Sequence, residues 1–359
     1  MSIRWTTRLC LSLLLTLLVL PLGAQQANTG RLRWKALPDL PDPLGVAGPF
    51  AGVHNNALIV AGGANFPKPV WDNDKAWHRT IHVLVKEGRQ YIWKPGGKLA
   101  RSLAYGAAVS TSEGVVCIGG NDAVNTFGDV FLLSWDANRE EVSSRTYPSL
   151  PQPCAFGAAT LVDNVIYLAG GQSGQTLDTA MTNFWSLDLS QRHNPDKFAW
   201  QQRKAWPGPS RALNITAHQD DGNHECVYVI SGRRQEGEEV QFLTDNWKYT
   251  PATDSWSRCR DIPQSVMAGP GIGYRKNQLL VLGGADGSMY FRVDELRDMH
   301  PGFPKQAWSY QTRTDRWSHA GSTPANQVTT IAVEWNGSII MPSGEVRPRV
   351  RSAAVWRIR

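Results

Sequence analysis

Six times along this chain a run of apolar residues ends in a pair of small ones. The copies read LIVAGG at 58–63, VVCIGG at 115–120, IYLAGG at 166–171, VYVISG at 227–232, LLVLGG at 279–284 and SIIMPSG at 338–344. Their closing glycines, at 63, 120, 171, 232, 284 and 344, stand 57, 51, 61, 52 and 60 residues apart. A short apolar run bounded by glycine reads as a buried strand. A strand that returns at so steady a period has to bury itself against its own copies, which confines the chain to repeat architectures.

Strand-Gly-Gly at about 50 residues is the mark of a kelch-type blade, so the expected fold is all-β: a six-bladed kelch-type β-propeller. The fifth copy shows how a blade is assembled. Residues 267–274 (MAGPGIGY) are small enough for the crowded innermost strand, Arg275-Lys276-Asn277 turns, and Gln278 to Leu282 forms the second strand. After a long excursion, Trp308 to Tyr310 begins the third strand, residues 312–315 turn, and Trp317 opens the fourth. The pattern Y-x-P-x-T-D-x-W at 249–256 returns in degenerate form as SYQTRTDRW at 309–317. Trp185, Trp200, Trp247, Trp256, Trp308 and Trp317 fall at repeat positions, which reads as filling between blades rather than ligand contact. The sixth copy stops after its third strand, at 352–358. Residues 33–38 (RWKALP) carry the Trp, apolar, Pro order of a fourth strand. The N-terminal segment is therefore expected to complete the last blade, closing the ring and hiding the edge strands.

Ahead of the repeats, Arg4 and Arg8 precede an apolar run over 9–20, followed by Leu22-Gly23-Ala24. This is the pattern of a secretory signal peptide over residues 1–24, cleaved after Ala24, and the run is short for a membrane span. The expected product is one propeller domain over 25–359, periplasmic or secreted, with no membrane association after cleavage. Loss of two cations, Arg4 and Arg8, takes the formal charge from +6 to +4. No cluster of Lys and Arg offers a nucleic-acid surface. Cys117, Cys154, Cys226 and Cys259 lack CxxC spacing, which argues against structural zinc and leaves open whether any two pair. The histidines are scattered without the grouping that copper would need, so no metal or other cofactor is expected.

Comparison of the copies singles out one position. The residue after the closing glycine is Ala64, Asn121, Gln172, Arg233, Ala285 and Glu345 in turn, and only the sixth copy places a carboxylate there. Three segments, GVAGPFAGVHNNALIVAGGANF (45–66), AYGAAVSTSEGVVCIGG (104–120) and SGEVRPRVRSAAVW (343–356), resemble parts of the bacterial N-acetylneuraminate epimerases. Those are periplasmic kelch propellers that act as sialic acid mutarotases. The resemblance covers essentially the whole mature chain in rotated order. The G-E-x-x-P-x-x-R motif is mid-chain in the enterobacterial enzymes and at the C-terminus here, so the match is to a cyclically permuted branch. A ring of equivalent blades tolerates permutation because only the closure point moves.

The resemblance implies Glu345 as catalytic base and Arg351 as a substrate-binding or charge-stabilising residue. Exchanging the anomers of a 2-keto sugar acid needs a base for the anomeric hydroxyl and an acid for the ring oxygen. A guanidinium suits the substrate carboxylate. Arg347, Arg349 and Arg351 alternate and would share a face in an extended strand. Arg211, Arg233 and Asn65, which precedes Phe66, are further substrate-binding candidates. Pro270 stands where the relatives carry a histidine, and Asn121-Asp122 where a Glu follows Gly-Gly, so the acidic sugar bound here can differ from sialic acid. The alternative is a non-catalytic propeller that binds a carbohydrate or a protein, because this fold hosts many functions.

Overall fold

A computed structural model of the chain describes residues 1, 2 and 32–359. The expected signal peptide, beyond its first two residues, and its cleavage site lie outside the described residues. From 32 to 359 the chain lies within one compact unit, built from six four-stranded antiparallel sheets. Blade one comprises Phe50–His54, Ala57–Ala61, Thr80–Glu87 and Gln90–Lys98, and the next four follow in chain order, beginning at Ala107, Ala158, Ile215 and Gly271. Blade six takes Val333–Trp335, Ser338–Pro342 and Val355–Ile358 from the C-terminus and Trp34–Leu37 from the N-terminus. Trp34 pairs with Ile358 and Leu37 with Val355.

The unbroken apolar character of each second strand has a direct cause. Side chains alternate between the faces of a sheet, and here both faces are covered by neighbouring blades. In the fifth blade Leu279 and Val281 pack against Tyr228 and Ile230 of the fourth, while Leu280 and Leu282 pack against Ile339 and Met341 of the sixth. Six buried clusters fill the six blade interfaces in this way. Each fully buried Leu, Ile or Val contributes about 1.5–3 kcal/mol. At the periphery the fourth-strand tryptophans fasten one blade to the last. Trp200, Trp256 and Trp317 donate their indole N–H to the carbonyls of Pro148, Lys204 and Arg260, at 2.7–2.9 Å. Trp93 does the same to Pro38, at the end of the N-terminal strand (3.0 Å).

Around the axis runs a closed circuit of six backbone hydrogen bonds. Gly48 N–H donates to Thr329, Thr329 to Ala268, Ala268 to Leu213, Leu213 to Phe156, Phe156 to Tyr105 and Tyr105 back to Gly48, at 2.6–2.8 Å. These residues stand just before each first strand, and all six adopt left-handed φ values between 53° and 63°. For the five that are not glycine this costs roughly 1–2 kcal/mol each. The reciprocal hydrogen bonds and the tight central packing offset it.

Candidate active site

The connections from second to third strands all emerge at one end of the ring, the end that carries the six-bond circuit. There the residue after each closing glycine forms an antiparallel bridge to the residue preceding a circuit member: Ala64 to Ala47, Asn121 to Ala104, Gln172 to Ala155, Arg233 to Ala212, Ala285 to Met267, and Glu345 to Val328. The six positions picked out from the repeat are therefore equivalent in space as well as in sequence. The closing glycines have φ between 95° and 125°. A Cβ on Gly344 would come within 2.9 Å of the Val328 carbonyl, which is the acceptor for Glu345 N–H.

Glu345, Arg233, Arg349 and Arg351 line one cavity of about 370 Å³ at this mouth, with Lys75 and Tyr105 on its wall. Glu345–Arg347 and Val350–Arg351 form a small hairpin in which Glu345 is directly opposite Arg351. Cross-strand placement accounts for their ion pair, Arg351 Nη1 to Glu345 Oε1 at 2.7 Å. The same Oε1 accepts the backbone N–H of Arg349 (3.0 Å). Among the described residues nothing donates to Oε2, so one carboxylate oxygen is fixed and the other faces the cavity. Arg351 lies against the Phe66 ring (5.1 Å) and reaches the Ala64 carbonyl and the Tyr105 hydroxyl, at 3.3 and 3.5 Å. Burial is the main influence on the Tyr105 phenol and raises it above its ordinary value, so it is neutral near pH 7. Of the two carboxylates lining the cavity, Asp286 caps its own turn, accepting the N–H and hydroxyl of Ser288.

Arg233 stacks on Tyr290 (5.2 Å), and its buried Nε has no partner among the described residues. The excursion over 286–304 contributes Tyr290 and His300 to the wall. His300 Nδ1 accepts the Gly302 N–H (3.0 Å). Burial first, then the Arg347 charge, lowers its pKa below 6.5 against the opposing pull of Glu345.

Three sequence expectations are corrected. Arg211 is fully buried and not part of the cavity. Its guanidinium grips Asp245 through two bonds of 2.9 and 2.6 Å, donates to the Ser231 carbonyl and lies on Trp206. Asn65 is also a scaffold residue, donating to the Gly45 carbonyl and pairing through Oδ1 with His78 Nε2, both at 2.9 Å. The three alternating arginines do not share a face. Pro348 and Arg349 (φ 65°) turn the chain, so Arg349 and Arg351 enter the cavity while Arg347 pairs outside with Asp298 (2.8 Å). All four described cysteines are free thiols. Among the described residues, no group of three or more His, Cys, Asp or Glu could hold a metal ion.

Lys75, Tyr105, Tyr290 and His300 carry no strong signal in the sequence. Tyr105 could have been found by aligning the circuit positions across copies. The other three lie in excursions of unequal length, where the repeat supplies no register.

A family model for N-acetylneuraminate epimerase matches residues 22–142 and 147–295. The N-acetylneuraminate epimerase of Salmonella enteritidis PT4 is 23% identical over 235 residues, 59% of this chain and 58% of that protein. The Vibrio cholerae epimerase is 39% identical over 127 residues, 30% of this chain and 32% of its own length. The chain thus spans well under two thirds of the curated relatives it matches, and Glu345 and Arg351 lie beyond the family match. The solved structure of YjhT superposes over 89% of this chain and 96% of its own, with TM-score 0.64 and 13% identity, a likeness of fold. The extent of the family match places the chain in the N-acetylneuraminate epimerase family.

Proposed function

We propose that this protein is an isomerase that interconverts the α and β anomers of an acidic 2-keto sugar, with N-acetylneuraminate as its substrate, and that it works in the periplasm or outside the cell. The observation that carries the reading is Glu345, anchored through one oxygen and open through the other, in a cavity where four cations, Lys75, Arg233, Arg349 and Arg351, outnumber the two carboxylates. The relatives, N-acetylneuraminate epimerases, supply the sugar. The apolar run behind Arg4 and Arg8 supports export.

In this reading Arg233 and Arg349 receive the substrate carboxylate, because a guanidinium matches its two oxygens. Arg351 holds Glu345 in its orientation through their 2.7 Å ion pair. Glu345 Oε2 removes the proton of the anomeric hydroxyl, the bond from the anomeric carbon to the ring oxygen breaks, and the open-chain ketone rotates before reclosing on its other face. A positioned base contributes about 10²–10⁴-fold to such a step.

The test is magnetisation exchange between the two anomers of N-acetylneuraminate by NMR, with catalytic amounts of protein. Glu345→Gln is expected to slow exchange at least about 100-fold while keeping saturable sugar binding. Unchanged exchange in that variant removes Glu345 from the chemistry. Tight binding with no acceleration by the unaltered protein means a carbohydrate-binding propeller instead.

A further inference from the structure

We infer that Lys75 is the general acid of this site, the group that gives a proton to the ring oxygen as the sugar opens and takes it back on closure. The inference rests on the isomerase reading above and assigns its second proton carrier. Ring opening leaves negative charge on the ring oxygen while Glu345 takes the hydroxyl proton. Because Oε1 is held by Arg351 and the Arg349 N–H, the single free oxygen Oε2 cannot accept one proton and deliver another in the same step. Arginines do not release protons near neutral pH.

Lys75 differs from the other cations at this mouth. Its ammonium sits among three aromatic rings, 5.2 Å from the centroids of Trp77 and Tyr105 and 5.7 Å from that of Phe66. Among the described residues it has no ion pair and no hydrogen bond, although it faces the cavity that contains Glu345. An ammonium held by ring faces is attracted without giving up its protons to an acceptor, so those protons remain available to a ligand. Arg351 touches two of the same rings, Phe66 and Tyr105, which sets the acid and the Glu345–Arg351 pair on one wall. Burial among the rings is the largest influence on Lys75 and lowers its pKa below 10.5. The Arg351 and Arg349 charges add to this, and Glu345 opposes it. A lysine tuned downward is a better proton donor to an alkoxide-like oxygen.

The step balances. Glu345 takes the hydroxyl proton, the O–H electron pair becomes the carbonyl π bond, and the ring C–O pair moves to the ring oxygen, which takes a proton from the Lys75 ammonium. After rotation the neutral amine removes that proton from the attacking hydroxyl and the Glu345 carboxylic acid protonates the carbonyl oxygen. Both groups return to their starting state with no other reactant.

The discriminating variant is Lys75→Arg, which retains a cation over the rings but holds its proton. Anomer exchange of N-acetylneuraminate is followed by NMR from pH 6 to 10, with sugar affinity measured calorimetrically on the same samples. Lys75→Arg is expected to bind within about threefold of the unaltered protein yet exchange anomers at least about 100-fold more slowly. The unaltered protein should lose rate on an alkaline limb below pH 10.5, and that limb should be missing from the residual rate of the variant. Lys75→Met, should Arg disturb the fold, is expected to lose rate likewise. Exchange by Lys75→Arg within threefold of the unaltered protein, with the alkaline limb intact, overturns the assignment and leaves the isomerase reading standing. No acceleration by the unaltered protein overturns both.

Discussion

Arg211 and Arg351 are both nearly sealed from solvent and both pair with a carboxylate, yet their surroundings give them different work. Side-chain exposure is 0% for Arg211 and 9% for Asp245, against 3% for Arg351 and 18% for Glu345. Asp245 spends both oxygens on Arg211 and adds the Trp247 indole to one of them; Glu345 keeps one oxygen for the cavity. Asp245→Asn should therefore cost about 3–5 kcal/mol, because it strands a buried charge, and urea unfolding will register it. Burial alone would raise the Asp245 pKa, but the bonds and charge of Arg211, aided by Trp247, outweigh it and hold the carboxyl below 3.8. The stability it contributes is present above the unfolded value, about 3.9, and is lost as pH falls through the lower folded value. The acid decline in stability of Asp245→Asn should accordingly be shallower than that of the unaltered protein. In the sequence Arg351 stood ahead of Arg211 only through the motif it shares with Glu345, since nothing local to either reveals which carboxylate closes over it.

The hairpin over 345–351 owes its position to one backbone geometry. Gly344, at φ 125°, lets the chain leave the second strand with Glu345 bonded to Val328. Gly344→Ala should destabilise the protein by about 1–3 kcal/mol, and by moving the hairpin it should also slow anomer exchange. Gly337→Ala is the control, since Gly337 (φ 64°) has nothing within 4 Å of an added Cβ. It should lower the melting temperature slightly and leave exchange unchanged. Equal activity in the two alanine variants would separate the hairpin from the chemistry. The second strands were legible because burial on both faces keeps the centre of each one apolar; Gln278–Leu282 falls where the sequence puts it. The hairpin was not, because Arg347, Arg349 and Arg351 suggest an extended strand until the turn at Pro348 is seen.

Across the whole molecule, ring closure depends on four residues from the far end of the chain. Trp34–Leu37 completes blade six, Leu37 and Leu40 join the cluster shared with blade one, and Pro38 receives the Trp93 indole. Removing residues 32–38 should expose the Val355–Ile358 edge, lower the urea midpoint and promote self-association, which light scattering would detect. A truncated protein as stable and monodisperse as the original would mean that closure does not hold the ring.

The sequence by itself determined the number of blades, the identity of the buried strands, the closure point and the one copy with a carboxylate at its rim. Each of these is written as a period, and a repeat forces equivalent residues into equivalent places. Only the tertiary structure decided which cations share the cavity with Glu345, that Arg211 and Asn65 belong to the scaffold, and that Lys75 stands unpaired among three rings. Those assignments depend on contacts between excursions of different blades, and their unequal lengths remove them from the period that makes the rest readable.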